Sequence, residues 1–338
     1  MAFRVSSAAR AAGDKSGDVY ELLAADGSVR AEVWPQCGFN CLKWQVRDGS
    51  GWADILFHMP DWDANPVPTR SGNPILFPFP GRLRDGRITH EGKTYQLPLT
   101  DNTKLHSIHG FTPRNKWRVI GQTAAPECAS VTGEFVLSAD LPEALAHWPA
   151  DFRFQVTYRL YANKLQLVAR VENPTAGTLP FGLGYHGYFC LPGVTDADVS
   201  NYVLQANVSQ VWAAENNLPT GERVPTPAAL DFQKARAVGT TALDNVFTSV
   251  NGPTDAGLVE QAVLSHPQAK GKLRVLADPA FRELVLFTPA HRKAVAIEPY
   301  SCSADASNLA ARGVDTGWRV LAAGAAWEAV VEYRWETK

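Results

Sequence analysis

The chain has 338 residues, 32 of them basic and 34 acidic, and its formal net charge is −2 at pH 7. This length accommodates one large β-domain or two domains of medium size. No run of like charge extends beyond a few residues, which argues against a nucleic-acid partner. No stretch approaches the roughly 18 apolar residues of a membrane span.

The cysteines and the N-terminus indicate the compartment. An odd number of cysteines without the spacing of a metal site predicts reduced, mostly buried thiols. Residues 1–18 lack the apolar stretch of a secretory signal, and we expect a short, loosely ordered segment there. We therefore predict a cytoplasmic protein. The five cysteines are Cys37, Cys41, Cys128, Cys190 and Cys302.

Residues 58–73 and 212–231 are rich in proline, asparagine and other turn formers, and both are predicted to be long irregular loops. Between them, residues 141–148 can form one or two helical turns. Residues 152–160 and 164–173 alternate apolar with polar side chains, which predicts an antiparallel hairpin.

Further strands are predicted from the same period of two. A short helix is expected within residues 301–312, where Ser303 or Asp305 can cap it. Because no linker divides the chain, we predict a single all-β, mainly antiparallel domain over residues 1–338, built as a sandwich of large sheets. The further strands lie in residues 133–139, 273–278, 282–289, 293–299 and 327–335.

The segment GNPILFPFPGRLRDGR, residues 72–87, is polar and irregular in a way that a plain sandwich does not need. Its three prolines cannot donate to a strand ladder, so the segment reads as a rigid wall or as an edge strand. A guanidinium group offers a planar fork of donors suited to oxygen acceptors. Arg82, directly after FPFPG, is therefore a candidate binding residue, whereas Arg84 and Arg87 are interpreted as surface side chains.

Two histidine-containing segments are further candidates. His106 and His109 occur in HSIHGF, where a hydrogen-bonding neutral imidazole is favoured over a metal ligand because no third ligand lies nearby in sequence. His186 occurs in FGLGYHGYF, among aromatic residues and glycines. Such a histidine is either a core residue bonded to a backbone carbonyl or a general acid or base near pH 7.

Glu298 follows the apolar residues 295–297 and directly precedes Pro299. Because proline pushes the residue before it into the extended region, Glu298 is expected to lie at the end of a strand. Two interpretations stay open. The position by itself favours a solvated carboxylate at the rim of the sheet, and partial desolvation would instead suit a general base.

Together, five segments resemble the motifs of the aldose 1-epimerase (galactose mutarotase-like) family. They occur in the order of the family and span residues 72–308. In this sequence they read NPILFPFPGRLRDGR, IHGF followed by Arg114 and Trp117, YHGYF, LDNVF and IEPYSCSADASN. The resemblance implies the family's large antiparallel supersandwich, a single aldose 1-epimerase-like domain and interconversion of the α- and β-anomers of a hexose or related aldose.

The resemblance also implies roles for individual residues. Glu298 would be the general base and His186 the general acid. Arg82, His109 and Asp244 would bind sugar hydroxyl groups, with His109 near the ring oxygen. His106 and Phe79 complete the expected binding set, and an aromatic side chain such as Phe79, Tyr188 or Trp212 can cover the C–H face of the sugar. No cofactor and no metal are implied, the partner is a small-molecule sugar, and a monomer or homodimer is expected.

Departures from the family pattern bear on the choice of sugar. Gly81 stands where the family has asparagine, and Val285 stands where galactose-preferring members carry glutamine. The pattern HGF-x-x-R, which ends at Arg114, resembles the hexose-6-phosphate mutarotase branch. Two alternatives therefore accompany the main prediction: the same chemistry on a sugar 6-phosphate, and a non-catalytic sugar-binding or regulatory β-sandwich.

Overall fold

The computed structural model describes residues 2–49, 51–62, 64 and 70–338, and nearly all of the regular structure in them is β-strand. Part of the loop predicted over residues 58–73 lies outside the described residues. Among the described residues the strands form three large sheets and three two-stranded sheets. Every ladder between named strands is antiparallel, which confirms the predicted fold class.

The N-terminal sheet consists, in spatial order, of β1 (Arg4–Arg10), β2 (Gly17–Leu23), β3 (Val29–Trp34), β4 (Asn40–Asp48) and β5 (Gly51–Asp54). The site sheet consists of β20 (Leu218–Pro225), β19 (Val208–Glu215), β22 (Asp244–Val250), β26 (Glu283–Phe287), β27 (Val295–Tyr300), β16 (Gly184–Tyr185) and β6 (Ile75–Leu76), and β17 (Gly187–Phe189) also pairs with β27.

The large sheet consists of β11 (Arg118–Ala124), β12 (Ala129–Val136), β13 (Arg153–Leu160), β14 (Lys164–Glu172), β29 (Ala326–Thr337), β25 (Gly271–Ala277), β24 (Leu258–Ser265), β18 (Val203–Ala206) and β21 (Arg236–Ala237), with β23 (Thr254–Asp255) paired to β24. The two-stranded sheets pair β7 (Arg82–Leu83) with β10 (Ser107–Ile108), β8 (Arg87–His90) with β9 (Lys93–Gln96), and β15 (Leu179–Phe181) with β28 (Arg319–Leu321). The α-helices are α1 (Leu137–Asp140) and α2 (Ala306–Ala310).

The predicted hairpin over residues 152–173 is confirmed as β13 and β14, in register from the Arg153–Glu172 pair to the Leu160–Leu165 pair. The five further predicted segments contain parts of β12, β25, β26, β27 and β29. Near the predicted turns at 141–148, a 3₁₀ helix covers Pro142–Ala146. Local alternation therefore located these strands, although it missed others of similar length, such as β4, β20 and β24.

Three expectations differ from the structure. Residues 212–231 are largely a hairpin of β19 and β20; Asn216 and Asn217 at its tip have φ values of 51° and 62°, the left-handed conformation that tight hairpin turns use. In the N-terminal segment, β1 is paired with β2 along its whole length. Asp305 precedes α2 but makes no capping hydrogen bond, because its carboxylate binds other groups described below.

The site sheet packs one face on the large sheet. Along β27, Val295 and Ile297 point into the common hydrophobic core, whereas Ala296 and Tyr300 belong to small separate clusters on the opposite face. This alternation follows from the strand period of two. Glu298 shares the face of Ala296 and Tyr300, so the strand that fills the core also presents a carboxylate away from it.

Candidate active site

Cross-strand pairing aligns the side chains of the site sheet in rows. Glu298 lies opposite Val285, which lies opposite Val246. Two residues further along the same face of β27, Tyr300 lies opposite Glu283. Because directly opposite residues project from the same face, these rows form a continuous surface. The register of β26 and β27 therefore decides which groups surround Glu298.

A cavity of about 780 Å³ lies over these rows, a size suited to a small ligand. Its walls come from the site sheet, the β7–β10 pair and the tip of the β19–β20 hairpin. Five of the predicted functional residues line it: Glu298, His186, Arg82, His109 and Asp244. The fold therefore gathers residues that are separated by more than 200 positions in the chain.

Glu298 and His186 are in direct contact in this cavity. The distance from His186 Nε2 to Glu298 Oε1 is 3.3 Å, and the two residues are 7% and 1% exposed, respectively. The interpretation of Glu298 as a solvated rim carboxylate is therefore wrong. The strand also continues beyond Pro299 to Tyr300. Proline is tolerated there because the neighbouring ladder is interrupted at His186, between the Gly184–Tyr300 and Gly187–Ile297 pairs.

Burial opposes charge on both members of the pair. It raises the pKa of the Glu298 carboxyl group well above its usual value, although a hydrogen bond from Tyr300 acts in the opposite direction. Burial also lowers the pKa of His186 to about 3. Desolvation outweighs the attraction of the pair and favours the neutral form of both groups.

The neutral pair and the ion pair nevertheless contain the same number of protons. Transfer of one proton from the Glu298 carboxyl group to His186 Nε2 converts the first into the second. The cost of that transfer depends on how well the surroundings solvate the resulting charges. A polar ligand that replaces water in the cavity can therefore change the protonation of both groups at once.

Two tyrosines contact the pair, and sequence reasoning gave neither of them this role. The Tyr300 hydroxyl donates to Glu298 Oε2 at 2.8 Å, and the Tyr188 hydroxyl lies 3.4 Å from His186 Nε2. The Tyr188 ring also stacks on the imidazole at 4.6 Å. Each tyrosine follows its partner by two positions on an extended chain. That spacing was the available signal, because it places both side chains on one face.

His109 presents a hydrogen-bond donor to the cavity. Its Nδ1 accepts from the Gly81 backbone N–H at 3.3 Å. Burial and the nearby His186 lower the pKa of His109 well below 6.5, so its imidazole is neutral. A neutral imidazole that accepts at Nδ1 carries its proton on Nε2. His109 is therefore suited to bind an oxygen atom of a ligand.

Gly81 fixes His109 from both sides. The Gly81 backbone N–H donates to the imidazole ring, and the Gly81 carbonyl oxygen accepts a hydrogen bond from the backbone N–H of His109 at 2.9 Å. Gly81 has a φ of +66°, and an added Cβ atom would lie 2.8 Å from Ala304 Cβ. The asparagine that the family has at this position would be strained here. The local backbone conformation and the contact with Ala304 therefore explain why this chain has glycine at position 81.

Arg82 and Asp244 form a charged side of the cavity. The Nε atom of Arg82 lies 3.8 Å from Asp101 Oδ2, and Asp101 is itself held by Thr103 Oγ1 at 2.6 Å. Enclosure by the cavity raises the pKa of the Asp244 carboxyl group, an effect that nearby Arg82 opposes. Asp101, which sequence reasoning missed, therefore orients the guanidinium group that was predicted to bind the ligand.

Asp305 links the segment that carries Arg82 to the segment that carries Glu298. The Asp305 N–H donates to the Arg82 carbonyl oxygen at 2.7 Å, and its Oδ1 accepts from the Arg84 N–H at 2.9 Å. Asn308 donates to the same Oδ1 at 2.6 Å and to the Arg87 carbonyl oxygen at 3.0 Å. The second half of the IEPYSCSADASN motif therefore holds the backbone around Arg82.

Two predicted binding residues do not line the cavity. His106 turns away from it, and its Nδ1 accepts from the Asp85 N–H at 3.2 Å. Phe79 lies in the main hydrophobic core, 3% exposed, and stacks on Trp148 with ring centroids 5.9 Å apart. The expectation that Phe79 covers a sugar ring is therefore corrected, because the apolar burial of its ring places it behind the wall.

Arg114 and Arg70 also line the cavity. In the described part of the chain neither forms a hydrogen bond or an ion pair, unlike Arg82. Partial burial lowers the pKa of Arg114, which shows that enclosure of its positive charge is not offset by a carboxylate. An anionic group on a ligand would supply the missing partner.

The described residues contain no group of three or more His, Cys, Asp or Glu side chains placed to hold a metal ion. In that part of the chain, no helix combines the length and apolarity needed to cross a membrane.

The chain belongs to the aldose 1-epimerase family, whose family model matches residues 25–334. Membership supports an isomerase activity in general. The protein YihR of Escherichia coli K12 is 27% identical over 274 residues, which are 78% of this chain and 82% of YihR. Galactose mutarotase of Rattus norvegicus is 29% identical over 163 residues, which are 47% of this chain and 44% of the rat protein.

Solved structures show the same fold. A galactose mutarotase-like protein from Clostridium acetobutylicum superimposes with a TM-score of 0.85 at 22% identity, covering 100% of this chain and 99% of that one. A galactose 1-epimerase from Lactobacillus acidophilus superimposes with a TM-score of 0.76 at 19% identity, and 99% of each chain is covered. The predicted galactose mutarotase-like sandwich is thereby confirmed.

Proposed function

We propose that this protein is an aldose 1-epimerase that interconverts the α- and β-anomers of a hexose or related aldose by general acid–base ring opening. One observation carries the proposal. A buried carboxyl group and an imidazole are in contact, 3.3 Å apart, on the floor of a polar cavity sized for a sugar. Ring opening moves protons at two oxygen atoms bonded to the same carbon, and each of these oxygens needs its own acid or base group.

The reaction needs one proton to leave an oxygen and one to reach its neighbour. Glu298, as carboxylate, takes the proton of the C1 hydroxyl group. His186, as imidazolium, gives its Nε2 proton to the ring oxygen while the C1–O5 bond breaks and an aldehyde forms. Rotation about the C1–C2 bond and the reverse transfers close the ring on the other face. Each transfer contributes roughly 10²–10⁴-fold.

The reactive ion pair arises from the neutral pair by transfer of a single proton, so no proton has to enter the cavity. Sugar hydroxyl groups would donate and accept hydrogen bonds at the two buried groups, and these bonds favour the charged form. His109, with its proton on Nε2, would donate to the ring oxygen or a nearby hydroxyl. Arg82 and Asp244 would bind further hydroxyl groups and hold the open chain close to its closing geometry.

Polarimetry on freshly dissolved single anomers tests the proposal. We expect the protein to accelerate mutarotation of at least one member of a panel that contains D-glucose, D-galactose, D-xylose and L-arabinose, together with the hexose 6-phosphates. An unchanged rate for every sugar, with a folded protein, would contradict it. Saturable binding of a sugar without acceleration would instead support the non-catalytic alternative.

A second candidate is the same chemistry on an aldose that carries an anionic group, such as a sugar 6-phosphate. The unpaired Arg114 and Arg70 favour it, because both face the cavity without an acidic partner among the described residues. For the 6-phosphate, Arg114→Ala should raise KM by about 10- to 100-fold, the loss of one or two charged hydrogen bonds. For the unmodified sugar the change should be small.

The exposed Arg4 on β1 offers a control for the loss of one positive charge, since it does not line the cavity. Arg4→Ala should leave both KM values as they are. If Arg114→Ala affects the phosphorylated and unmodified sugars equally, Arg114 does not bind an anion and the second candidate is wrong.

A further inference from the structure

Glu283 is a buried carboxyl group to which the proposed reaction gives no part. It is 0% exposed and belongs to β26, directly opposite Tyr300 and two positions before Val285. Its side chain therefore projects from the same sheet face as Glu298. Burial of a carboxyl group carries a large desolvation cost, so its presence here calls for a specific interaction.

That interaction is a hydrogen bond to a wall of the cavity. The Trp212 indole Nε1–H donates to Glu283 Oε2 at 2.9 Å, and Trp212 lines the cavity from β19. The indole is only 3% exposed, so it offers an edge to the cavity rather than an open face. On β20, Arg223 lies over the indole ring at 4.6 Å from its centroid. The ring is therefore held at its nitrogen and over its face.

The charge of Glu283 is not matched by a fixed cation. The nearby Arg282 binds both oxygens of Asp315 at 2.8 and 2.7 Å, and Arg223 also contacts Asp315. Glu283 Oε1 has no hydrogen-bond partner among the described residues. Burial raises the pKa of Glu283 to about 7, against the hydrogen bond from Trp212, the nearby Thr248 and the positive charges of Arg282 and Arg223. A carboxyl group of this kind is poorly explained by stability alone.

We propose that Glu283 is a positioning residue of the sugar site, which holds the Trp212 indole as the end wall beside the row that contains Glu298. The position of this wall sets how closely the sugar fits over Val285 and Val246, and it therefore acts on affinity more than on the proton transfers. The inference rests on the proposed function.

Kinetics with the sugar that the wild-type protein accelerates most separate a positioning role from a structural one. Glu283→Leu and Trp212→Phe should each raise KM by about tenfold, the effect of one hydrogen bond to a charged group, with a smaller change in kcat. The double variant should be no worse than either single variant, because both remove the same contact. Trp335→Phe, a tryptophan that is equally buried in β29, is the matched control and should leave KM unchanged.

The NMR signal of the Trp212 indole N–H, assigned by its loss in Trp212→Phe, provides a readout that does not depend on turnover. In the wild type it should shift as the pH passes about 7, because an ionised Glu283 accepts a stronger hydrogen bond than a protonated one. Glu283→Gln keeps an acceptor oxygen but cannot titrate, so the shift should disappear. Glu298→Gln should retain it, which separates Glu283 from the other carboxyl group on this face.

Other groups near Glu283 do not titrate in this range. Burial raises the pKa of Tyr300 and of Cys302 far above 7, and the Asp315 hydrogen bond raises that of Arg282. A pH-dependent indole shift that Glu283→Gln removes would therefore report Glu283 itself.

Two results would overturn the inference: unchanged KM in both Glu283→Leu and Trp212→Phe, or an indole signal that is insensitive to Glu283→Gln. If Glu283→Leu does not fold, the indole signal of Glu283→Gln still tests the inference. A wild-type protein without any turnover would refute the proposed function, and the indole signal would still decide whether Glu283 holds Trp212.

Discussion

Two carboxylates of this protein are almost equally buried, yet their surroundings differ. Glu332, on β29 of the large sheet, is 3% exposed, and Glu298, on β27 of the site sheet, is 1% exposed. Glu332 accepts hydrogen bonds of 2.7 Å from Lys164, Gln166 and Arg334. Among the described residues, the side-chain partners of Glu298 are only Tyr300 and His186.

The partners decide the direction of the pKa. Burial would raise the pKa of Glu332, but the hydrogen bonds and charges of Lys164 and Arg334 outweigh it and the pKa is lowered. In the part of the chain that the structure describes, no lysine or arginine pairs with Glu298, and its pKa is raised. A carboxylate paired with lysine and arginine is held in one protonation state, whereas a carboxyl group paired with a histidine has a partner to which its proton can move.

The largest expected effect is on the histidine of the pair. His186→Asn should reduce the acceleration of mutarotation by about 10²–10⁴-fold, since the general acid is lost while a polar group of similar size remains. The initial rate of optical rotation change at saturating sugar measures this. His266, 5% exposed and 3.2 Å from Asp196, is a histidine–carboxylate pair outside the cavity, and His266→Asn should retain wild-type kcat. Similar losses in both variants would indicate damaged folding rather than lost catalysis.

Stability should change in opposite directions at the two carboxylates. Glu332→Gln should lower the free energy of unfolding at pH 8 by about 1–3 kcal/mol, because charged hydrogen bonds are lost. The folded-state pKa of Glu332 lies below the usual 4.5, so its contribution is present above that pH and is lost as the pH falls through the folded pKa.

For Glu298 the sign is reversed. Its folded-state pKa lies above 4.5, so its contribution to stability is fully present below pH 4.5 and is lost as the pH rises through the folded pKa. Glu298→Gln should therefore gain stability relative to the wild type as the pH increases. Urea unfolding of Glu298→Gln and Glu332→Gln between pH 5 and 9 checks this. If the free energies of unfolding of both variants, relative to the wild type, change with pH in the same way, the contrast between the two carboxylates is wrong.

A smaller effect is expected at Tyr300. Tyr300→Phe removes the hydrogen bond to Glu298 Oε2, which raises the pKa of the carboxyl group further because the ionised form loses a donor. The alkaline limb of the pH–rate profile, on which the pair loses its one proton, should move to higher pH, and kcat below that limb should fall by about fivefold because the ionised carboxylate of the reactive pair has lost a donor. Tyr333→Phe also removes a buried hydroxyl donor, to Asn73, and should leave the limb in place. A limb that does not move in Tyr300→Phe would show that Tyr300 does not tune Glu298.

The same contrast explains how much could be predicted from the sequence. The hairpin of β13 and β14 follows from strict alternation, and the segments around His186 and Glu298 were found through their motifs. The burial of Glu298 could not be predicted, because the chain before Pro299 reads equally well as a strand end. Its burial depends on the cavity face of β27 and on Tyr300, which extends the strand past the proline.

Other misses have the same origin in long-range packing. Phe79 was expected to face the sugar, but the ring packs against Trp148, about 70 positions away in the chain. Asp305 was assigned to a helix cap, whereas it binds the backbone around Arg82, more than 200 positions away. Asn216 and Asn217 suggested a loop, although paired left-handed residues are also the tip of a tight hairpin. Local pattern does not determine such partners.

Exchange between the α- and β-anomer signals of the sugar in NMR, compared for two matched variants, tests the central claim most directly. Glu298→Gln and Glu332→Gln each remove one buried carboxylate and keep its shape. We predict that Glu332→Gln, at a temperature where it is folded, exchanges the anomers at the wild-type rate, whereas Glu298→Gln falls to the uncatalysed rate or within about tenfold of it. Wild-type exchange in folded Glu298→Gln would contradict the assignment of the base.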